Sequence, residues 1–306
     1  MTAITMVGPN AKAECDLTAR KIVYYWDEKH TQAINSQMAF EASDGSVLFK
    51  EHMMINFDGF KYAYHKNNIK GGAVLNLCNA GKVFLPDGSS YSGSESDETC
   101  TGKFLQDYRK IGKAGWHDPT VGLINWYGVL GKDNVKIHGQ VVKRVEPIEQ
   151  NDGSGFFVSP TALADETNEN DADQSRYLDA TKIPAAVVRG PKLVSDLPVV
   201  AGTFGVAYDL SKKVPVPFVV GDYGPKVGEA TPALARKLED VDPSVPFDRK
   251  HRYAGGVDER RIVWIFFRNA GQAQPPFDEQ TVTTAAQKAF EKWGGEPRLQ
   301  ECVDGL

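Results

Sequence analysis

Short segments with apolar side chains at alternate positions recur along the chain, with the period of two that is typical of half-buried β-strands. Continuous apolar runs add further candidates for buried strands. Together the two patterns predict strands at residues 21–26, 61–65, 121–130, 133–146, 185–188, 204–210, 216–220 and 261–267. The run at 261–267 is the most apolar, and we therefore expect that strand to be central.

Helical periodicity is confined to a few segments. It predicts helices at residues 104–113, 232–238 and 278–293, the second with Thr231 as its N-cap. Polar stretches at 86–100 and 165–173 predict surface loops. We therefore expect a mostly β protein with long loops and a few peripheral helices.

Composition narrows the class of protein. The 306 residues include 41% hydrophobic and 25% charged residues, with 29 Gly and 17 Pro, as in a globular protein rich in turns. The net charge of -5 and the pI near 5.7 argue against a nucleic-acid binder and suit a cationic or neutral ligand. No apolar run is long enough to span a membrane, so no membrane partner is expected.

Four cysteines, Cys15, Cys78, Cys100 and Cys302, lack the spacing of a zinc site, and we expect no metal and no cofactor. A disulfide between Cys78 and Cys100 would close a polar segment, and one between Cys15 and Cys302 would join the termini. Four cysteines permit three connectivities, and all three remain open at this stage.

The first residues lack the charged and apolar regions of a secretory signal peptide. An intact cytoplasmic start, a signal already removed, and export without a cleaved signal remain open.

Two carboxylates, Asp222 and Glu229, bracket a turn-forming Gly-Asp-Tyr-Gly-Pro segment between a predicted strand and a predicted helix. Paired carboxylates suit glycosidic hydrolysis, because one donates a proton to the leaving oxygen while the other activates water or attacks carbon. A structural alternative is equally simple: Asp222 makes an Asx-type turn and Glu229 complements a helix N-terminus.

Five sequence blocks together resemble glycoside hydrolase family 75, the fungal-type chitosanases and their bacterial relatives. The blocks are MINFDG at 54–59 with AYH at 63–65, GFFVSPTAL at 155–163, RYLD at 176–179 with IP at 183–184, FGVAYD at 204–209, and GDYGP at 221–225 with GEA at 228–230. They follow the order of the family over residues 45–270. The resemblance implies a small closed β-barrel of the double-psi type.

The resemblance also implies endo-acting hydrolysis of β-1,4-linked glucosamine polymer with inversion, and Asp222 and Glu229 as the catalytic pair. Glu229, flanked by apolar residues and glycine, is expected to keep its proton and act as general acid, with Asp222 activating water. The reverse assignment stays open. Inversion predicts that the two carboxyl groups lie about 6.5–9.5 Å apart.

Other residues of the matching blocks are candidates for substrate binding: Asp58, Tyr64, His65 and Tyr223. Their structural alternative is an ordinary turn and a strand face. This chain has Asn56 where relatives have a further acidic residue, which removes a carboxylate that could pair with a glucosamine ammonium. Trp126 or Tyr127 is a second candidate for a sugar platform, although a buried strand is the simpler interpretation of that segment.

Two alternatives to a chitosanase remain. One is a hydrolase of the peptidoglycan glycan strand, delivered as a secreted antibacterial effector, and the other is a non-catalytic polysaccharide-binding module. We expect an extracellular monomer that acts on an amino-sugar polysaccharide. Its predicted organisation is an N-terminal extension at 1–45, a catalytic domain at 46–270 and a helical C-terminal extension at 271–306 packed on the same domain.

Overall fold

The structure, a computed structural model, describes residues 15–26, 33–93, 100–190, 198–224 and 226–306. Within these ranges the strands are β1 (Leu17–Trp26), β2 (Ala33–Ala42), β3 (Val47–Ile55), β4 (Gly81–Phe84), β5 (Ser90–Ser92), β6 (Leu123–Trp126), β7 (Gly131–Ile137), β8 (Gln140–Pro147), β9 (Ala185–Val188), β10 (Phe204–Asp209), β11 (Pro215–Tyr223), β12 (Glu229–Ala230) and β13 (Val257–Phe266). The helices are α1 (Lys103–Lys113), α2 (Pro232–Leu238), α3 (Glu279–Trp293) and α4 (Gly295–Asp304).

Six of these strands close into a β-barrel in the order β3-β12-β9-β11-β10-β13, with β13 pairing back onto β3. Two neighbouring pairs, β11 with β9 and β12 with β3, are parallel, and the others are antiparallel. The predicted mostly β fold with a small closed barrel is therefore confirmed. The double-psi connection implied by the resemblance stays a prediction.

The apolar run of β13 is continuous because both faces of the strand are buried. Ile262, Trp264 and Phe266 belong to one hydrophobic cluster, whereas Val263 and Ile265 belong to another that includes side chains of α3 and α4. Because successive side chains of a strand point to opposite faces, the first cluster fills the barrel and the second lies under the helices. The prediction that this strand is central is confirmed.

The ends of the described chain lie on this barrel. β1 pairs with β2, which continues the sheet beside β3, and α3 and α4 pack on the outer face of the barrel. Disulfides join Cys15 to Cys302 and Cys78 to Cys100, and these two pairings together are one of the three connectivities left open by the sequence. In the part of the chain that the structure describes, no helix combines the length and apolar character needed to cross a bilayer.

A third hydrophobic cluster lies outside the barrel strands and contains Phe57, Tyr64, Phe104, Trp126 and Val129. The segment that contributes Tyr64 to this cluster differs from its predicted structure. Residues 61–65 form turns and one isolated bridge rather than a strand, because Ala63, Tyr64 and His65 are all buried and cannot alternate between two faces. The strand predicted at 121–130 is shorter, and part of the loop predicted at 86–100 lies outside the described residues.

Candidate active site

Asp222 and Glu229 lie in one row of residues across the barrel sheet. Val187 of β9 pairs with Asp222 of β11 on one side and with Glu229 of β12 on the other, and Glu229 pairs in turn with Met54 of β3. Paired residues on neighbouring strands share a face, and strands are spaced about 4.8 Å apart. The two acidic residues therefore face the same side, with backbones about 9.5 Å apart across two strand spacings.

Glycine at position 224 makes room for the carboxylate of Glu229. A β-carbon on Gly224 would lie 2.7 Å from Glu229 Oε2 and 3.0 Å from Val187 Cγ1. Any larger residue would displace the carboxylate. The pairing of β11 with β9 also shifts register between Val220 and Asp222, and such a bulge re-aims the side chain that follows it. The glycine-rich turn thus positions both acids.

A third carboxyl group, that of Asp58, belongs to the same site. The backbone N–H of Asp58 donates to Asn56 Oδ1 (2.7 Å), and Asn56 Nδ2 donates to Glu229 Oε2 (3.3 Å). The backbone N–H of Asn56 donates to Ala230 O (2.8 Å), which extends the pairing of β3 with β12. Asn56 therefore links the turn that carries Asp58 to the carboxylate of Glu229.

The electrostatics of the three acids favour their protonated forms. Burial raises the pKa of Asp222 to about 6, with a further contribution from the charge of Glu229, while backbone N–H groups of Tyr223 and Ala162 oppose the shift. Ala162 N–H donates to Asp222 Oδ1 at 2.8 Å. All three side chains are nevertheless partly exposed. Because a proton donor or acceptor works best with a pKa near the working pH, the site suits acid–base chemistry.

Glu229 and Asp58 are shifted in the same direction. Burial raises the pKa of Glu229, and the hydrogen bond from Asn56 and the charges of Lys226 and His52 oppose this shift. Burial also raises the pKa of Asp58 well above its usual value, and the charges of Asp222 and Glu229 raise it further. All three acids therefore keep their protons to a higher pH than a free carboxyl group does.

Two tyrosines flank Asp58. Tyr64 is buried in the third cluster, and burial followed by the charges of Asp58 and Tyr127 raises its pKa well above the usual value. Tyr127 has 49% of its surface exposed, and its pKa is raised by burial and by the charge of Asp58. An exposed aromatic ring beside a carboxyl group can stack on a sugar ring. Trp126 is fully buried and donates to Val145 O (3.1 Å), so the platform candidate is Tyr127.

His65 and Tyr223 are engaged elsewhere. His65 Nδ1 accepts from the N–H of Asn67 (2.9 Å), its Nε2 donates to Ser154 O (3.2 Å), and its ring packs edge-on against Phe156. Both ring nitrogens are therefore occupied by the surrounding loops. The hydroxyl of Tyr223 accepts from the N–H of Ala201 (2.8 Å), and its side chain is 37% exposed.

The sequence pattern marks Asn56 only as the place of a missing carboxylate, not as a partner of Glu229, and it offers Tyr127 only as an alternative to Trp126. For Asn56 the available signal was its place two residues before Asp58, and for Tyr127 it was an aromatic residue next to a tryptophan in a strand-like run. Neither pattern reveals which residue each side chain meets in the folded protein. Asn56, for example, donates to Glu229, which lies 173 positions away.

Carboxylate oxygens are ligands of Ca²⁺ and Mg²⁺, so Asp58, Asp222 and Glu229 are the residues of this site that could hold a cation. Among the described residues, however, these three do not form a group whose ligand atoms all lie within 4.8 Å of one another. In this arrangement one ion would not reach all three carboxyl groups.

A separate cavity of about 420 Å³ lies beside the Asp58–Gly59 turn. Gly59 contributes to its lining, together with Lys61, Asp152, Tyr177, Asp179 and Lys182, but the three carboxyl groups of the site do not. The two lysines that line it form ion pairs there, Lys61 with Asp152 (2.8 Å) and Lys182 with Asp179 (3.2 Å). The cavity is therefore distinct from the candidate active site, because none of the three carboxyl groups lines it.

Comparison of the chain with known protein families and with curated proteins identified no relative. No family model matches the chain, and no curated protein matches it within the threshold of the search.

Proposed function

We propose that the protein is an endo-acting glycoside hydrolase that cleaves β-1,4 linkages of an amino-sugar polymer, chitosan, with inversion. The observation that carries the proposal is the row in which Asp222 and Glu229 face the same side, two strand spacings apart. An inverting hydrolase needs its two carboxyl groups about 6.5–9.5 Å apart, with room for a water molecule between them. A backbone spacing of about 9.5 Å is compatible with that requirement.

The charge of the site supports a cationic substrate. Asp58 adds a third carboxyl group beside the pair, and its ionised form would attract the ammonium group of a glucosamine unit. Binding an ammonium group would also lower the raised pKa of the nearby acids, because opposite charges favour ionisation. Tyr127 would supply an apolar face for a sugar ring.

The proton roles within the pair follow from what each carboxylate contacts. We assign Glu229 as the general acid that protonates the leaving oxygen and Asp222 as the base that activates water. Asp222 accepts a backbone hydrogen bond from Ala162 that holds one of its oxygens, which suits a group that must aim a water molecule. A β-carbon at position 224 would crowd Oε2 of Glu229, so the glycine leaves room for this carboxyl group at the turn.

The two disulfides are compatible with a protein that functions in an oxidising compartment, and we propose that the protein is secreted. The neutral Asn56 beside Glu229 favours a second candidate, hydrolysis of the peptidoglycan glycan strand, because that polymer has no ammonium group on its acetylated sugars.

Product analysis tests the proposal directly. Wild type is expected to release oligosaccharides from chitosan with the α-anomer formed first, as observed by ¹H NMR. Asp222→Asn and Glu229→Gln are expected to lower kcat by about 10²–10⁴-fold without loss of folding. Release of fragments from peptidoglycan alone would favour the second candidate, and binding of chitosan without cleavage would refute catalysis.

An activated substrate separates the two roles. An aryl glycoside has a leaving group that needs little protonation, so Glu229→Gln is expected to retain far more activity on it than on chitosan. Asp222→Asn is expected to remain inactive on both substrates. The opposite result would reverse the assignment.

A further inference from the structure

Three side chains with metal-ligating atoms converge on the hairpin formed by β7 and β8. His117 follows α1, Asp133 lies in β7 and Glu146 lies in β8. His117 Nε2 is 3.1 Å from Asp133 Oδ2 and 3.6 Å from Glu146 Oε2, and the three ligand atoms all lie within 4.8 Å of one another. No sequence pattern indicates this cluster, because its members lie 13 to 29 positions apart on separate elements.

The orientation of the imidazole ring is an independent observation. His117 Nδ1 lies 2.6 Å from Gly115 O, and since a carbonyl oxygen only accepts, Nδ1 must donate. In a neutral imidazole this leaves Nε2 with a lone pair that faces two carboxylate oxygens, which also carry only lone pairs. Either a proton on Nε2 or a metal ion between the three atoms removes this repulsion, and binding of a metal distinguishes the two.

The spacing of the three atoms suits a metal ion. Zinc binds nitrogen and oxygen ligands at about 2.0–2.2 Å in tetrahedral geometry, which places neighbouring ligand atoms about 3.2–3.6 Å apart. The two measured separations from Nε2 are close to that range. Metal-ligating histidines also typically donate their other ring N–H to a backbone carbonyl, as His117 does to Gly115.

The surroundings orient the two carboxylates. The register of β7 and β8 shifts between Lys132 and Asn134, so Asp133 forms a bulge that turns its side chain towards His117. Lys132 Nζ contacts Glu146 Oε1 (3.1 Å), which leaves the Oε2 atom directed at the imidazole. Each carboxylate therefore offers one oxygen.

We propose that His117, Asp133 and Glu146 form a binding site for a divalent transition-metal ion of the zinc type, with water completing the coordination. Bound metal would fasten the β7–β8 hairpin to the loop that follows α1. The site shares no ligand with the proposed active site, and so the proposal stands or falls separately from the proposed hydrolysis.

Calorimetric titration of the chelator-stripped, disulfide-bonded protein with ZnCl₂ tests the proposal. Wild type is expected to bind one equivalent, and Asp133→Asn is expected to weaken binding by at least about tenfold. His117→Gln is expected to abolish binding. His138→Gln is the matched control, because His138 is exposed in the turn of the same hairpin and contacts only Pro86 O among the described partners. It is expected to bind zinc as wild type does.

A second measurement is independent of calorimetry. Zinc in excess is expected to raise the Tm of wild type and of His138→Gln, but not that of His117→Gln, because a ligand stabilises only the state that binds it. If His117→Gln fails to fold, the Asp133→Asn result decides. Absence of zinc binding by wild type, or equal binding by wild type and both ligand variants, would show that the imidazole is only protonated and would overturn the proposal.

Discussion

Two groups of acidic side chains on the barrel differ in what compensates their charge. Asp209, which is fully buried, contacts Arg261 (3.0 Å), and Glu239 contacts the same guanidinium (3.0 Å) and Lys212 (3.3 Å). A hydrogen bond with Glu239, followed by those from the backbone of Ser211 and Lys212 and from Arg261, outweighs burial and lowers the pKa of Asp209, whereas burial and the neighbouring Asp209 raise the pKa of Glu239. The charges of Asp209 and Glu239 thus take part in ion pairs that stabilise the fold.

The row of Asp222 and Glu229 contains the same two residue types, but different groups compensate the charge of its carboxylates. The hydrogen-bond donors described for these carboxylates are Asn56 and the backbone N–H groups of Ala162 and Tyr223, and all of them are neutral. Burial therefore prevails, and the pKa of each acid is raised. Acids that contact cations stabilise the fold. Acids that are buried without a contacting cation have a raised pKa, which suits proton transfer but costs stability.

The largest expected effect on stability concerns the compensated group. Arg261→Met would leave fully buried Asp209 without its guanidinium partner, and removing one member of a buried ion pair is strongly destabilising. Since Arg261 is itself partly exposed, we expect a loss of about 2–3 kcal/mol in the free energy of unfolding, measured with urea at pH 7. Arg109→Met, at an exposed position of α1, is the control. An equal effect of both variants would contradict the comparison.

A gain in stability, rather than a loss, is expected when an acid is removed from the row of Asp222 and Glu229. Because the folded protein raises the pKa of Asp222 to about 6 from about 4 when unfolded, it binds more protons than the unfolded chain in that window, and stability falls as pH rises through it. Asp222→Asn removes this penalty. We expect a gain of about 1–3 kcal/mol at pH 8 and little change at pH 3.

Asp209→Asn provides the matched comparison for that experiment. The pKa of Asp209 is lowered, so its contribution is present at neutral pH and lost as pH falls through the lowered value. We expect Asp209→Asn to destabilise the protein at pH 8. Urea unfolding of both variants across pH 3–8 measures the two signs, and a loss of stability in Asp222→Asn at pH 8 would show that its carboxylate is structural.

The fold could be predicted from sequence where a strand has a strong pattern of its own. The apolar run of β13 and the N-cap of α2 at Thr231 are local signals, and both are confirmed. The strand predicted at 61–65 was wrong because a local alternation of residue types does not reveal that the consecutive side chains of Tyr64 and His65 are both buried. The two-residue strand β12 is too short to leave any periodicity.

The acids of the site were predictable as residue types, but their arrangement was not. Asp222 and Glu229 are brought into one row by Val187, which lies 35 positions before Asp222. Nothing in the sequence near either acid indicates that pairing. The link from Asn56 to Glu229 depends in the same way on β3 and β12 being neighbours in the barrel.

A smaller effect is expected from Asn56, which opposes the shift of Glu229. Asn56→Ala removes the hydrogen bond to Glu229 Oε2, and the pKa of Glu229 is expected to rise further. Carboxyl ¹³C NMR titration measures the change without reference to activity. Asn151→Ala, at an exposed loop position, is the control and should leave the Glu229 titration unchanged. An unchanged titration in Asn56→Ala would mean that the hydrogen bond is not formed in solution.

The smallest effect concerns the exposed ring beside Asp58. If Tyr127 stacks on a sugar, Tyr127→Ala should raise KM for chitosan oligomers about 3–10-fold with little change in kcat, since uniform binding is lost at a cost of about 1 kcal/mol. Tyr127→Phe keeps the ring and should resemble wild type. Tyr253→Ala removes another exposed tyrosine (52% exposed) and should have no effect. A drop in kcat for both Tyr127 variants would instead indicate that the hydroxyl group acts on the nearby carboxyl group of Asp58.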